Sequence, residues 1–599
     1  MTAKVVQLQV RPGIQRDNTK FRSPCYIDGQ WVRFQTGLPR KIGGYRGMFL
    51  NAPDITRGMI SYSINGLNYV IGGYTDGPRQ WYNNNDAGIG SGPVTYTLTG
   101  FTPNANNLWQ FDIGFDPYGT GNNNLIAHPG QNLNDITSSV NTRPLVGAFT
   151  GTTLGPVGVF TASATLTSGH NTITFAETIA AVGPGVSVSG AGIPAGTTVV
   201  SVSSVSNVWT AVLSQNATLS GTETLTFDNN ISVSGGAVMI YPYLFVYGNY
   251  GLIQNCSAGD FNNWTSSDAN ANNVASSKIV KGLPVRGGST SPSGLFWSLD
   301  SVIRVSYSPT TVNSLTYYWT YDIVTSQSSI MSSQAVIEYD GVFYWCGTDR
   351  FLMYNGVVQE VPNTQNLNWF FDNMNYSQRQ KVWCTKVPRW GEIWWFYPRG
   401  DATECTDAII YNVREQTWYD AGSAPGARRS AGYFTEVFPH PIWAGNDANN
   451  VDTYTLWEHE TGTDEVYENQ VNAIQSYFET PSLGNLGGLI GSTQILQTAW
   501  AQIYPPDANN WTRLERMEPD FVQTGSMNLY VLGKGYADDT DQVTGPYTFT
   551  PSTLKVDMRE QRREMRLRFE SNTTGGNYYM GKVLLSMDVG DVRSTGNPN

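Results

Sequence analysis

The residue types that could do chemistry are few, and most are poorly spaced for it. A glycosidase needs two carboxyl groups facing each other across a sugar. Glu392, beside Trp390, Trp394 and Trp395, is the carboxylate best surrounded by aromatics for that work, yet those tryptophans fall in a strand pattern and read as core. Neither the sialidase Asp-box, S-x-D-x-G-x-T-W, nor a G-x-S-x-G nucleophile elbow occurs. Gly576 to Lys582, GNYYMGK, has phosphate-loop spacing, but Val583 stands where a magnesium-binding Ser or Thr is needed and a strand follows. It reads as a hairpin turn. The four histidines, His128, His170, His440 and His459, show no metal-site spacing. The five cysteines (Cys25, Cys256, Cys346, Cys384, Cys405) are odd in number and widely spread, as reduced core thiols are, which suggests assembly in a reducing cytoplasm. These residues lead to the expectation of no catalytic, cofactor or metal site, and of a protein that is not an enzyme.

The elements around these residues are strands. Residues 335–361 read AVIEY, Asp340-Gly341, VFYWC, GTDR, FLMY, Asn355-Gly356, VVQEV. Asp-Gly and Asn-Gly supply the positive φ that two-residue hairpin turns demand, and the runs between are β-branched and aromatic. Four short strands in fewer than thirty residues form one meander the size of a propeller blade. Weaker copies lie at 57–82, 237–255, 279–307, 382–419 and 431–457. The expectation is an all-β chain: a degenerate β-propeller of about six blades, with an inserted small β-sandwich and a C-terminal β-sandwich. The boundaries are a basic N-terminal arm with entry strands at 1–55, first propeller part at 56–143, insertion at 144–235, remaining blades at 236–460 and C-terminal sandwich at 461–599. One helix is expected in Gln365–Lys381, where Leu367, Phe370, Phe371 and Met374 form one apolar stripe.

Composition supports a large β protein. Only 14% of the 599 residues are charged and 13% are aromatic, which excludes a disordered chain or a coiled coil. No apolar run is long enough for a membrane-spanning helix, and the first residues lack the apolar stretch of a signal peptide. The net charge of −12 is unevenly placed. Residues 1–46 hold nine basic and two acidic side chains, a local +7. Arg11, Arg16, Lys20, Arg22, Arg40, Lys41 and Arg46 are therefore the docking candidates, for an acidic partner or a phosphate. Residues 144–227 contain no Lys or Arg and only Glu177 and Glu223, a span suited to packing on another subunit. An acidic stretch at 447–468, including Glu458, Glu460, Asp464 and Glu465, marks the boundary before the last domain.

Three stretches carry a resemblance. RPGIQRDNTKFRSPCYIDGQWVRFQTGLPRKIGGYR, the run from FYWCGTDRFLMYNG through NLNWFFDNMNYSQRQK to AIIYNVREQTWYD, and the C-terminal TPSTLKVDMREQRREMRLRFESNTTGGNYYMGKVLLSMDVGDVR resemble the tail nozzle, or packaged-DNA stabilisation protein, of short-tailed bacteriophages. The 144–235 insertion departs from that pattern. The resemblance implies a structural virion protein: a propeller subunit of a homo-hexameric ring that docks below the head-to-tail adaptor and lines and closes the DNA ejection channel. Tail fibres or spikes would attach around it, double-stranded DNA would pass without sequence-specific contact, and no cofactor would be needed. It also implies the virion tail as location and the adaptor or a neighbouring subunit as the target of the basic arm. The alternative is a receptor-binding tail protein or a tail-associated glycosidase with a propeller fold.

Overall fold

A computed structural model of the chain describes all residues except 1–3, 21–22, 65, 84–90, 116–122, 178, 206–207, 286–290, 435–437, 448–453, 484–509, 536–538 and 593–599. The chain is all-β with many sheets. Seven of these sheets follow one another as antiparallel meanders, beginning with Met59–Ile64, Asn107–Phe115, Gly236–Ile240, Ile279–Val285, Val336–Tyr339, Trp383–Val387 and Arg429–Tyr433. Six of them coincide with the six repeats expected from the sequence. The second, which runs from Asn107 to Pro156, was not marked there. Its strand Asn123–Asn132 (NNLIAHPGQN) carries Pro129 and Gly130 and lacks the aromatic signature of the others.

The turns show how local residues shape these sheets. Asp340 and Gly341 both have positive φ (50° and 82°), and Tyr339 pairs directly with Val342, a two-residue hairpin as expected. Asn355-Gly356 differs. Tyr354 pairs with Val358, so the loop has three residues, with Gly356 at φ 116°.

The first and last meanders are joined by a strand from the other end of the chain. Tyr45–Ala52 pairs antiparallel with Tyr454–His459 and so completes the seventh sheet, and Arg429–Tyr433 packs on Met59–Ile64. Glu465–Tyr467 and Gln470–Asn472 extend the same sheet, so it runs past the expected boundary at 461.

The N-terminal segment is not a separate arm. Lys4–Gln7 pairs with Leu584–Val592, Asp28–Gln30 with Ser476–Glu479, and Leu38–Lys41 meets Asn577–Met580. These strands fill the edges of the C-terminal sheets. They share one core, in which Trp31, Val32 and Phe34 pack with Trp394, Phe478, Phe569 and Met587.

The insertion is corrected in two respects. Leu145–Ala148 and Thr153–Pro156 belong to the second meander, so the inserted strands run only from Val159 to Asp228. They form a single six-stranded sheet rather than a two-sheet sandwich. Val188 N donates to Thr197 O and Val199 N to Val186 O, both at 2.9 Å, which joins the sheet's edges at one end. A continuous ladder with one apolar face buries that face by rolling up around its own core of Ile173, Val188, Leu213, Leu225 and Phe227.

The expected helix is also shorter. It spans Leu367–Asn373 and is followed by a 3₁₀ turn at Tyr376–Lys381. Asn375 separates them, its side chain accepting the Ser377 N–H as a cap. Phe370 and Met374 are buried, as the stripe requires.

Candidate functional site: the central cavity and the sealed carboxylates

Six of the seven first strands converge on one cavity of about 400 Å³. Trp109, Gln110 and Phe111 come from Asn107–Phe115, Lys281 and Leu283 from Ile279–Val285, and Val336 to Glu338 from Val336–Tyr339. Gln334, Trp383 to Lys386, Ala431 to Phe434, and Gly58 with Met59 complete the lining. Each strand contributes neighbouring residues, whose side chains point to opposite faces, so the strand edges rather than single faces border the cavity. Trp109 and Phe111, two residues apart, stack with an interplanar angle of 3°.

Charge in the cavity is sparse. Lys386 Nζ donates to Glu338 O at 2.8 Å and sits 3.4 Å from Glu338 Oε2. Asp112, on the same strand as Phe111, accepts backbone N–H bonds from Met239 and Ile113, while burial pushes its carboxyl up. Burial likewise pushes the Lys281 amine down, with Asp112 opposing it. Burial also drives the Cys384 thiol up. Such a thiol is a poor nucleophile. Among the described residues no group of three or more His, Cys, Asp and Glu is placed to hold a metal, and no helix is long and apolar enough to cross a membrane.

The carboxylate singled out by sequence lies elsewhere. Glu392 is fully buried, 2.9 Å from Arg33 Nε, and accepts Tyr419 OH at 2.6 Å and Trp394 Nε1 at 2.9 Å. Arg33 also holds Glu460, at 2.5 and 2.8 Å, and Trp390 Nε1 donates to Glu460 Oε2. Burial raises Glu392. Burial acts on Glu460 too, but the Arg33 charge and hydrogen bonds outweigh it and hold that carboxyl below its usual range. Two acids with opposed shifts are a pattern of acid–base sites. Here both are sealed from solvent by their own partners, so they act as an internal clasp between the N-terminal segment and two meander sheets.

The docking candidates spend much of their charge in the same way. Arg16 binds Asp28 at 2.5 Å and Asp420 at 2.9 Å. Arg40 stacks over Trp390 and donates to Gln35. Lys41 is buried, its Nζ donating to Gly576 O, and burial pushes its pKa down to about 8. Arg46 pairs with Glu458 at 2.6 Å, and Arg11 lies on the strand beside Cys25. Lys20 is exposed, 3.9 Å from Asp541. Arg22 lies outside the described residues. A basic segment does dock on an acidic surface, but much of that surface belongs to the same chain, including Glu458 and Glu460 of the acidic stretch. The sequence could not reveal Arg33 as the central cation, because its partners are 359 and 427 residues away. Gly576–Lys582 runs through the strand Asn577–Met580, and the Gly581 and Lys582 N–H groups are taken by Asp520.

The fold and site thus define an all-β chain of meander sheets around a small, partly aromatic cavity. No protein-family model matches the chain, and no curated protein matches it. Solved structures do. An exo-beta-1,3-galactanase from Phanerochaete chrysosporium, with galactose, is 8% identical at a TM-score of 0.22, covering 59% of this chain and 95% of its own. A structure described as a glycoside hydrolase is 8% identical at a TM-score of 0.20, covering 91% of this chain and 99% of its own. The tricorn protease is 9% identical at a TM-score of 0.15, covering 72% and 46%. The expectation that the chain is not an enzyme is corrected on this finding, since hydrolases are what the chain is similar to. Likeness at this level assigns no substrate.

Proposed function

We propose that the chain is a tail-nozzle subunit of a short-tailed bacteriophage, its seven meander sheets forming the blades of a propeller. The observation that carries this reading is the convergence of the three family-like stretches. They are hundreds of residues apart, yet Trp31 and Phe34, Trp394 and Tyr419, and Phe569 and Met587 meet in one core. The resemblance therefore falls on one packed unit. In this reading copies form a homo-hexameric ring on the head-to-tail adaptor, with fibres or spikes around it. The genome runs between copies, because a cavity of about 400 Å³ holds only about a dozen waters. A body at −12 lets a duplex slide without Lys or Arg holding its phosphates. Mass spectrometry and electron microscopy of purified particles test the proposal. The expected result is this chain in a six-fold ring at the tail end, and particles lacking it overturn the reading.

A second reading, a tail-associated glycosidase or receptor-binding protein, is favoured by the cavity lining. Glu338, Phe111 and Tyr433 are a carboxyl group and two aromatic faces, with which a protein grips a sugar; Glu338 is the one carboxyl group among the described lining residues, so hydrolysis would need its second from outside that lining. Release of reducing ends from host polysaccharide by the wild type, abolished in Glu338→Gln, would favour it. Equal release by both proteins, or none, would remove its support.

A further inference from the structure

A sheet edge exposes unpaired backbone N–H and C=O groups, and proteins guard long edges with charge, proline or irregular backbone. Among the described residues six edge strands are seven residues or longer. Four are guarded: Asn107–Phe115 by the neighbouring sheet, where Asp112 accepts the Met239 N–H, Ile279–Val285 by Lys281 and Pro284, Gln542–Phe549 by Pro546, and Val556–Arg562 by four charged residues. Two are not. Val199–Val205 (VVSVSSV) has no charge, proline or glycine, and Leu315–Thr325 (LTYYWTYDIVT) has only Asp322.

Both edges are free. Val199 is engaged by Gly185 and Val186, but among the described residues no backbone group of 200–205 or 315–321 bonds outside its own hairpin ladder. The second hairpin also projects. Its inner strand pairs with Ser293–Ser298 only as far as Ser306, so the ladder beyond is two-stranded. These two hairpins carry seven of the twenty strongly exposed large apolar side chains among the described residues, including Val205 at 72% and Leu315 at 63%. That concentration marks an interaction surface.

We infer that the two edges are partners: the free edge of Val199–Val205 in one copy of this chain adds to the free edge of Leu315–Thr325 in the next, as one continuous β-ladder. Charge identifies the occupant as a second copy. At −12 overall, two copies carry like net charge and repel one another at a distance. Residues 305–321 carry no charged side chain, and residues 199–205 lie in the span without Lys or Arg. The edges therefore meet without like-charge opposition, and their apolar side chains are covered together. Because the two edges are different surfaces, the contact is head-to-tail, the kind that closes into rings. This goes beyond the proposed function and does not rest on it, since the ladder requires no other virion component.

Two variants test it: Ser203→Lys with Val205→Lys, and Tyr317→Lys with Ile323→Lys, all at exposed positions. Circular dichroism and the unfolding midpoint check that each folds as the wild type does. In light scattering the wild type is expected to exceed the 65.9 kDa of one chain and to grow with concentration. Each variant alone should remain a single chain. Mixed together they should give a species of twice that mass, because each keeps one intact edge. A wild type that stays a single chain, a variant that assembles alone, or a mixture that stays monomeric overturns the inference. None of these outcomes bears on whether the chain is found in particles, which is the separate test of the nozzle reading.

Discussion

Replacing Arg33 with Met removes the one cation that two buried carboxylates share. The Arg33 side chain is 1% exposed, and those of Glu392 and Glu460 are 0% and 7% exposed. After the substitution only the Trp390, Trp394 and Tyr419 donors remain to them. Deleting one partner of a buried ion pair costs about 3–5 kcal/mol. One substitution here strands two acids, so the upper end, about 5 kcal/mol, is expected at neutral pH. The pH dependence follows from the shifts. Glu460, held low in the native protein, contributes stability above its unfolded value of about 4.3 and loses it as pH falls through the lower folded value. Glu392, held high, contributes below that unfolded value and loses it as pH rises through the folded one. Without Arg33 both carboxyls rise. The deficit should therefore shrink as pH falls from neutral towards about 5, where the stranded acids take up protons. Urea unfolding followed by tryptophan fluorescence from about pH 5 to about pH 8 measures this. The midpoint should drop by about 1 M or more at the upper end. Adding Glu392→Gln and Glu460→Gln to Arg33→Met should restore most of the loss. A deficit below about 1 kcal/mol, typical of an exposed pair, or one that is flat with pH, refutes the clasp.

Other expectations can be checked in the same unfolding assay. His128 is fully buried, its Nδ1 accepting the Gly130 N–H, and burial pushes its pKa down to about 4. The folded state resists its protonation, so stability is full above pH 6.5 and falls as pH drops from there towards about 4, by about 3 kcal/mol at most; His128→Gln should flatten that decline. A Cβ at Gly432 would lie 2.5 Å from Trp443 Cδ1 and 2.7 Å from Trp383, so Gly432→Ala should cost about 1–3 kcal/mol by overpacking. Deleting residues 2–41 removes edge strands from the C-terminal sheets and should unfold them, which limited proteolysis would reveal as rapid cleavage between 510 and 592.

The parts of this protein legible in its sequence are those fixed by neighbouring residues. A hairpin needs a turn with the right φ and two runs that alternate or stay apolar, and all of these lie within a dozen residues. Asp340-Gly341 and its flanking strands were therefore readable, as were six of the seven meanders. Trp394 and Trp395 could be read as core because they occupy one strand with Glu392. What sequence could not supply was partnership at long range. Which strand completes the seventh sheet, and which cation holds Glu392 and Glu460, depend on closure of the whole chain: residue 45 must reach residue 459, and residue 33 must reach residue 392. No local periodicity encodes that. The +7 of residues 1–46 was visible as composition, but its targets became known only when folding brought Asp420, Glu458 and Glu460 against it. Sequence thus determined the strands of six meanders, the Asp340-Gly341 turn and the imbalance of charge. Tertiary structure decided where that charge is spent, because burial leaves an ion only the partners within a few ångströms of it.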